Sequence, residues 1–309
     1  MRNKTRFLGI TLTLLATVGL TSLSINLPLT DAHALPPPAP LTNMRIERTG
    51  IMLQDAAESS WFIWGGEKYY VFTDRDAVGT SRQMKIVRFS DNTVISTFGT
   101  GYGCQDAVVQ GGTLYVFATN CFMDFSHAGN SIVRFSTTNL TTWSSPTTIY
   151  TAESQAQIYN LSVVKNPDQY TIAYEIHRSS GYSAYFNIRF LQSLDATTWI
   201  SNGTDHILAD QSCPDLHWSD GKYYIFTGHR SNTVVSSTND LFNFSTSRLP
   251  VLKPIYEFED DHTSDPDLIE DSGKVYILYS VNDQSTYMRE TYATYNGTMA
   301  QLLSIYPGL

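Results

Sequence analysis

Apolar and aromatic runs come in pairs along this chain, each pair hinged on a few Gly, Asp or Asn residues. The clearest pair runs from Pro214 through Asp220-Gly221 to Phe226. Trp64–Phe72, Val108–Phe117, Val163–Ile172 and Leu268–Ile277 repeat the form and align with it on their aromatic-rich halves. Two β-rich stretches around such a turn are a hairpin signal.

The hairpins belong to a longer period. Ile-Val-Arg-Phe-Ser occurs at Ile86–Ser90 and again at Ile132–Ser136, 46 residues on. Periods of about 40–50 residues point to propellers and related repeat architectures. A third element follows: a Ser-led turn with Asn or Asp that ends on an aromatic, at Ser136–Trp143, Ser193–Trp199 and Ser237–Phe244. Each unit is then a hairpin, a third strand, a turn and a fourth strand. Five units fit, at 55–100, 101–152, 155–209, 210–256 and 260–306, with Met44–Ile51 left over and β-compatible. The expected fold is all-β: a five-bladed β-propeller of four-stranded antiparallel blades over residues 44–309. The leftover strand would complete the last blade and remove its exposed edge. A β-sandwich also has many short strands, but has no reason to repeat at this period.

Composition adds limits. Hydrophobic residues make up 42% of the chain, ample for a core, and most of the Tyr and Phe recur inside the strands, which reads as packing. The net charge is −9, and because residues 1–34 carry Arg2, Lys4, Arg6 and Asp31, the remainder is near −11. An acidic surface repels phosphate backbones, so nucleic acid is not an expected partner. Arg2, Lys4 and Arg6, the apolar run Phe7–Leu20 and the small-x-small site Ala32-His33-Ala34 read as a signal peptide over 1–34. A Pro-rich linker follows over 35–43. The expected product is a secreted, periplasmic or extracellular monomer that leaves the membrane once the signal is removed. Export suits a disulfide. With the second hairpin centred between Gly112 and Thr113, Cys104 falls opposite Cys121 and the two are expected to pair, leaving Cys213 over. No CxxC or HxxxH spacing suggests a metal site.

In a propeller, residues that open the innermost strand and close the second meet at one mouth of the central channel. Counting outward from the hairpins places Asn160 opposite Glu175, Cys213 opposite Arg230 with Asp215 and His229 beside them, Asp265 opposite Asn282 near Asp267, and Trp61 opposite Asp74. Asp106 sits beside Thr119 and Asn120, and His177 lies just past Glu175. Several carboxylates around a shallow funnel suit glycosidic cleavage, which needs one acid and one carboxylate. Glu175 is the expected acid, with Asp106 or Asp215 as base or nucleophile. Asp265, Asp267, His177, His229, Arg230 and Asn160 are candidates for holding a carbohydrate substrate, and Trp61 and Trp218 for stacking on a sugar face. Asp106, Asp215 and Asp267 share one repeat position, so the alternative is that they bond backbone N–H groups.

Cys213-Pro-Asp-Leu, the run Asp220–Phe226, Ser264-Asp-Pro-Asp-Leu-Ile and the Ser-led turns resemble the five-bladed propeller glycoside hydrolases. These are the arabinanases, arabinofuranosidases and xylosidases of family 43, with their invertase and levansucrase relatives. The resemblance spans roughly 50–306. It implies an Asp base early in blade one, an Asp in blade two that tunes the acid, and a Glu acid further on. Those positions fall on Ser59-Ser60, on Cys104-Gln105 with Asp106 just after, and on Ser212. The departures imply either relocated carboxylates or a propeller that binds glycan without cutting it. The resemblance also implies that a Ca²⁺ ion can sit in the central channel, while no cofactor is required.

Overall fold

This computed structural model describes residues 46–309 except 55, 75–81, 121–128, 155, 179–186, 207–210, 230, 248, 256–258, 260–262, 282–288 and 307; within strands, the side chains of 51–54, 57, 178, 211, 212 and 229 also lie outside the description. The expected signal peptide, linker and Cys121 fall outside it.

Five four-stranded antiparallel sheets form the five blades of a propeller. Blade one is β2 (Ala56–Trp64), β3 (Glu67–Asp74), β4 (Met84–Arg88) and β5 (Thr93–Phe98). Blade two is β6 (Gly103–Gln110), β7 (Thr113–Thr119), β8 (Ser131–Thr137) and β9 (Thr147–Thr151). Blade three is β10 (Ala156–Lys165), β11 (Tyr170–Arg178), β12 (Asn187–Ser193) and β13 (Ile200–Ser201). Blade four is β14 (Gln211–Ser219), β15 (Lys222–His229), β16 (Asn232–Thr238) and β17 (Ser245–Thr246). Blade five is β18 (Thr263–Asp271), β19 (Lys274–Val281) and β20 (Arg289–Tyr295), completed by the N-terminal β1 (Glu47–Gln54). The leftover strand thus closes the ring by pairing with β20, as its sequence suggests.

Alternation along each strand sends neighbouring side chains to opposite faces of the blade. The core is accordingly divided into five clusters, one between each pair of adjacent blades. Val71 packs toward blade two with Ile86, Val116 and Phe135, while its neighbour Tyr70 packs toward blade five with Trp61, Phe72 and Leu278. The duplicated pentapeptide packs alike in both copies, with Ile86 and Ile132 facing the next blade and Val87 and Val133 facing the previous one. Burial of each such side chain stabilises the fold by about 1.5–3 kcal/mol. A short helix, α1 (Met299–Leu303), lays Met299, Leu302 and Leu303 on the cluster between blades four and five. Its N-cap Thr298 and Gln301 form a capping box.

The closing strand is locked by a buried ion pair. Arg48 Nε donates to Glu259 Oε1 at 2.8 Å, and the two side chains are 5% and 0% exposed. Tyr279 Oη donates to the same oxygen at 2.7 Å, and Ile255 N–H donates to Oε2 at 2.7 Å. Burial opposes ionisation of Glu259, but these donors together hold its carboxyl below the usual range.

Two local devices set the register. Four hairpins turn on residue pairs with φ positive at both positions: Gly65-Gly66, Gly111-Gly112, Asp220-Gly221 and Ser272-Gly273. That is the requirement of a type I′ turn. In blade three, Asn166 Oδ1 instead accepts from the N–H groups of Asp168 and Gln169 at 2.9 and 2.7 Å. Secondly, every innermost strand slips at one place, between Ala57 and Ser60, Gly103 and Asp106, Ile158 and Leu161, Ser212 and Asp215, and Ser264 and Asp267.

These devices correct most of the pairs counted from sequence. Trp61 pairs with Tyr70, and Asp74 with Ala56. Cys104 lies in the bulge between the pairs Gly103–Thr119 and Asp106–Phe117, and its expected partner Cys121 lies outside the described residues. Cys213 and Asp265 lie in the bulges next to Ser212–Gly228 and Ser264–Ser280, and their counted partners Arg230 and Asn282 lie outside the described residues. The turns sit nearer the N-terminus than the count assumes, by one residue in blades two, four and five and by two in blade one, and the bulge moves the register again. In blade three the count holds: Glu175 lies across from the bulge that contains Asn160, between the pairs Ile158–Ile176 and Leu161–Tyr174.

Candidate functional site

The bulges build the mouth of the channel. Their leading residues are Glu58, Cys104, Cys213 and Asp265, with φ of 57°, 52°, 55° and 46°. Left-handed backbone at a residue other than Gly costs about 1–2 kcal/mol, and such strain concentrates at functional sites. The residues that follow include Pro214 and Pro266, which have no N–H to leave unpaired in a bulge. Together the bulges line a small pocket of about 30 Å³, whose walls include Glu58, Cys104, Asn160, Cys213 and Asp265.

Two further carboxyls flank this pocket. Glu175, on β11, accepts from Cys213 N–H at 2.8 Å. Burial, aided by the charges of Asp265 and Glu58, pushes it up to about 8 despite that bond. Glu290, on β20, accepts from Ser280 Oγ at 2.6 Å and is fully buried. Burial and the same two charges push it up to about 8 as well. Asn160 Nδ2 donates to Cys213 Sγ at 2.9 Å and lies 3.4 Å from Asp265 Oδ1. Burial, then Asp265 and Glu175, raise the Cys213 thiol well above its usual range.

A second tier lies two residues further along the same strands and links the blades in a closed ring. Asp267 Oδ1 accepts from Trp61 N–H at 2.8 Å, joining blade five to blade one. Ser60 Oγ donates to Asp106 Oδ1, joining one to two. Val163 N–H and Ser162 Oγ donate to Asp106 Oδ2 at 2.5 and 2.8 Å, joining two to three. Leu216 N–H donates to Ser162 Oγ at 2.9 Å, and Leu268 N–H to Asp215 Oδ2 at 2.9 Å, completing the circle. Burial is the main reason that Asp106 is pushed up to about 6 and Asp267 well above the usual range. The charge of Asp215 adds to both. His217 Nε2 stands 2.7 Å from Asp215 Oδ2. Burial opposes its imidazolium, but Asp215 and Asp106 outweigh that and raise it.

The sequence candidates therefore separate. Glu175, Asn160 and Asp265 gather at the mouth, while Asp106, Asp215 and Asp267 make the ring below, with Asp267 also reaching the pocket. His177 is half-buried two residues beyond Glu175, paired with Gln157. Trp61 is buried among Tyr70, Phe89 and Tyr276. Trp218 lies toward the hairpin end of β14, edge-on to Tyr223 at 4.6 Å. Neither Trp lines the mouth pocket. The His229 side chain, Arg230 and Cys121 lie outside the described residues.

Two mouth carboxyls were not among the site candidates chosen from sequence, although Glu58 was placed just before the first strand of blade one. Glu58 stands two residues before Ser60, as Cys104 stands before Asp106, Cys213 before Asp215 and Asp265 before Asp267. That constant spacing was the available signal, and it places an acid in blade one where an alignment on Ser59-Ser60 finds none. Glu290 sits where the other third strands put Met84, Ile132, Asn187 and Thr233 beside their second strands. A carboxyl at a position otherwise apolar or neutral was the signal there.

No calcium site is identified among the described residues. The ring carboxylates are already engaged by N–H and hydroxyl donors. Among the described residues no group of three or more His, Cys, Asp or Glu is arranged to hold a metal ion. Among the same residues no helix is long and apolar enough to cross a membrane.

No protein-family model matches the chain, and no curated protein matches it. Solved structures do resemble it. An α-L-arabinofuranosidase from Podospora anserina in complex with cellotriose superposes with a TM-score of 0.62 at 10% identity, over 83% of this chain and 98% of that one. An α-L-arabinanase from Penicillium chrysogenum complexed with arabinobiose gives 0.55 at 13%, over 77% and 76%. An N-acetylgalactosamine deacetylase from F. plautii, in complex with blood group B trisaccharide, gives 0.63 at 12%, over 84% and 97%. At such identities the likeness establishes the five-bladed propeller fold, which carries more than one carbohydrate chemistry.

Proposed function

We propose that this protein is a glycoside hydrolase that cleaves an arabinofuranosidase- or xylosidase-type substrate in the pocket at the mouth of the channel. The observation that carries the reading is the grouping of Glu175 with Glu58 and Asp265. A buried carboxyl pushed up to about 8 stays protonated in neutral solution, beside two carboxylates that line the pocket. Glycosidic cleavage needs both forms at once. Glu175 donates its proton to the leaving oxygen as the bond from the anomeric carbon breaks. Glu58 or Asp265 removes a proton from the attacking water, or itself attacks the anomeric carbon and is released by water. The hydroxyl of the water, keeping one proton, ends on the anomeric carbon, and the other proton, released through the base or taken up directly by Glu175, restores the acid. Asp106, Asp215 and Asp267 hold the blades and set the field beneath the site. Similar folds in an arabinofuranosidase and an arabinanase agree with this reading. The test is hydrolysis of aryl α-L-arabinofuranosides and β-D-xylosides by the protein and by Glu175→Gln, Glu58→Gln and Asp265→Asn. Undiminished turnover in all three variants would overturn the assignment.

One observation favours a noncatalytic glycan-binding propeller instead. Glu175, Asp106, Asp215 and Asp267 each accept a backbone N–H, which is enough to account for them as scaffold. That reading expects saturable binding of oligosaccharide with no product after days of incubation.

A further inference from the structure

Cys213 and Asp265 hold equivalent places on neighbouring blades. Each leads its bulge in left-handed backbone, with φ of 55° and 46°. The bulges are built alike, Cys213-Pro214-Asp215-Leu216 in blade four and Asp265-Pro266-Asp267-Leu268 in blade five. A proline ring fixes its own φ, which stiffens the chain just after each leading residue. Both residues are buried, and both line the mouth pocket. A thiol and a carboxylate are thus presented from two stiff mounts into one small space.

Cys213 makes polar links in three directions. Its N–H donates to Glu175 Oε1 at 2.8 Å. Its Sγ accepts from Asn160 Nδ2 at 2.9 Å, and the same amide nitrogen lies 3.4 Å from Asp265 Oδ1. The thiol in turn hydrogen-bonds Asp265. Burial, then the charges of Asp265 and Glu175, keep the proton on sulfur, so the thiol is the donor of that bond. Asp265 Oδ2 is held from its own strand by Ser264 Oγ at 2.9 Å. A thiol is a weak donor, but a charged acceptor strengthens any hydrogen bond it receives. Without the sulfur, Asp265 loses its link to the residue that anchors the acid.

We infer that Cys213 is a positioning residue: its main-chain N–H anchors Glu175 while its thiol, steadied by Asn160, orients Asp265, so that one residue sets the acid and the carboxylate relative to each other. This rests on the reading of Glu175 and Asp265 as partners in glycosidic cleavage. Cys213 itself neither attacks the sugar nor passes a proton to it. The competing role is packing, since a free cysteine also serves as a small apolar filler. The two roles rank substitutions in opposite order. A filler tolerates Ala better than Ser, which would bury an unpaired hydroxyl. A hydrogen-bonding link tolerates Ser better than Ala, because the hydroxyl both donates and accepts.

The experiment has two arms on the full chain. The first is infrared spectroscopy of the S–H stretch of Cys213, isolated as the difference between the parent chain and Cys213→Ser. The band should lie below that of a non-bonded thiol and move toward it in Asp265→Asn, a substitution that suits left-handed backbone. A band at the non-bonded position, or one that Asp265→Asn leaves in place, would overturn the link. The second arm is hydrolysis of aryl α-L-arabinofuranosides and β-D-xylosides. Cys213→Ala should lower kcat by about 10–100-fold with KM within about threefold, as a misplaced catalytic group does. Cys213→Ser should recover kcat to within about threefold of the parent chain. Ser as impaired as Ala or more so, or Ala with parental turnover, would return Cys213 to packing and overturn the positioning role alone. The infrared arm needs neither activity nor Cys213→Ala, so it decides the link even where that variant fails to fold. A shifted, Asp265-dependent band in a parent chain that hydrolyses neither glycoside removes the enzyme reading and leaves the link standing.

Discussion

Glu175 accepts a 2.8 Å hydrogen bond from the backbone N–H of Cys213, a residue of the next blade. One side chain thus spans the groove between blades three and four and fixes a bulge residue whose φ is 55°. The proposed acid and the strained floor of the pocket are mechanically joined. Glu175→Gln keeps an oxygen for that N–H and should leave the melting temperature nearly unchanged while lowering turnover by about 10²–10⁴-fold. Glu175→Leu strands the N–H and should also destabilise the fold by about 1–3 kcal/mol, measured by urea unfolding.

Glu175 and Glu290 give stability a distinctive pH dependence. Both carboxyls have folded-state values near 8, above the ordinary value of 4.5. Between those values the folded chain binds protons that the unfolded chain has lost. Stability is therefore greatest below about 4.5 as far as these two groups are concerned, and falls as pH rises through 8. The slope approaches roughly 1.4 kcal/mol per pH unit for each group. Melting temperatures from pH 5 to 8 should decline, and the decline should be shallower in Glu175→Gln and in Glu290→Gln. An unchanged slope in both variants would contradict the protonated assignment.

The ring of Ser60, Asp106, Ser162, Asp215 and Asp267 predicts a different signature. Asp267→Ala removes the acceptor for Trp61 N–H, and Asp215→Ala removes that for Leu268 N–H. Each should cost about 1–3 kcal/mol in urea unfolding. Asp267→Asn keeps an acceptor oxygen and should cost less. Should the Ala variants unfold like the parent chain, the ring would not be holding the blades together.

Arg48 and Glu259 form the lock on the closing strand. Arg48→Ala leaves a buried carboxylate without its cation and should destabilise by about 3–5 kcal/mol. Arg48→Met paired with Glu259→Leu removes both charges and should recover much of that loss. Thermal unfolding of the two variants beside the parent chain measures the difference.

How much of this was legible beforehand differs between tiers. The hairpins were, because Gly-Gly, Asp-Gly and Ser-Gly pairs signal tight turns, and the five units followed from the repeated Ile86–Ser90 and Ile132–Ser136. The alternative reading of Asp106, Asp215 and Asp267 as acceptors for backbone N–H groups also matches the bonds they make. The bulges were not legible. Their left-handed positions hold Glu58, Cys104, Cys213 and Asp265, where a Gly would have announced the conformation. Tertiary packing imposes that backbone against local preference, and no single-residue signal marks it. Missing the bulge left Glu58 out of the mouth and gave Cys104 and Cys213 direct partners, while the misplaced turn displaced that of Trp61. The aromatic candidates erred on side-chain direction: Trp61 carries a residue type suited to sugar stacking, but its strand parity turns it into the core between blades five and one.

The pairing of β1 with β20 also sets a schedule. Thr49 Oγ1 donates to Tyr292 O across 243 residues of chain, and Arg48 reaches Glu259 across 211. Contacts of such separation reward the chain only after the whole intervening length has been ordered. A polypeptide emerging N-terminus first must therefore keep β1 unpaired until its last blade arrives. The β1 segment is the one strand that can be sequestered, extended or captured in the meantime without disturbing blades one to four, so the circle is sealed by the part of the fold that has waited longest.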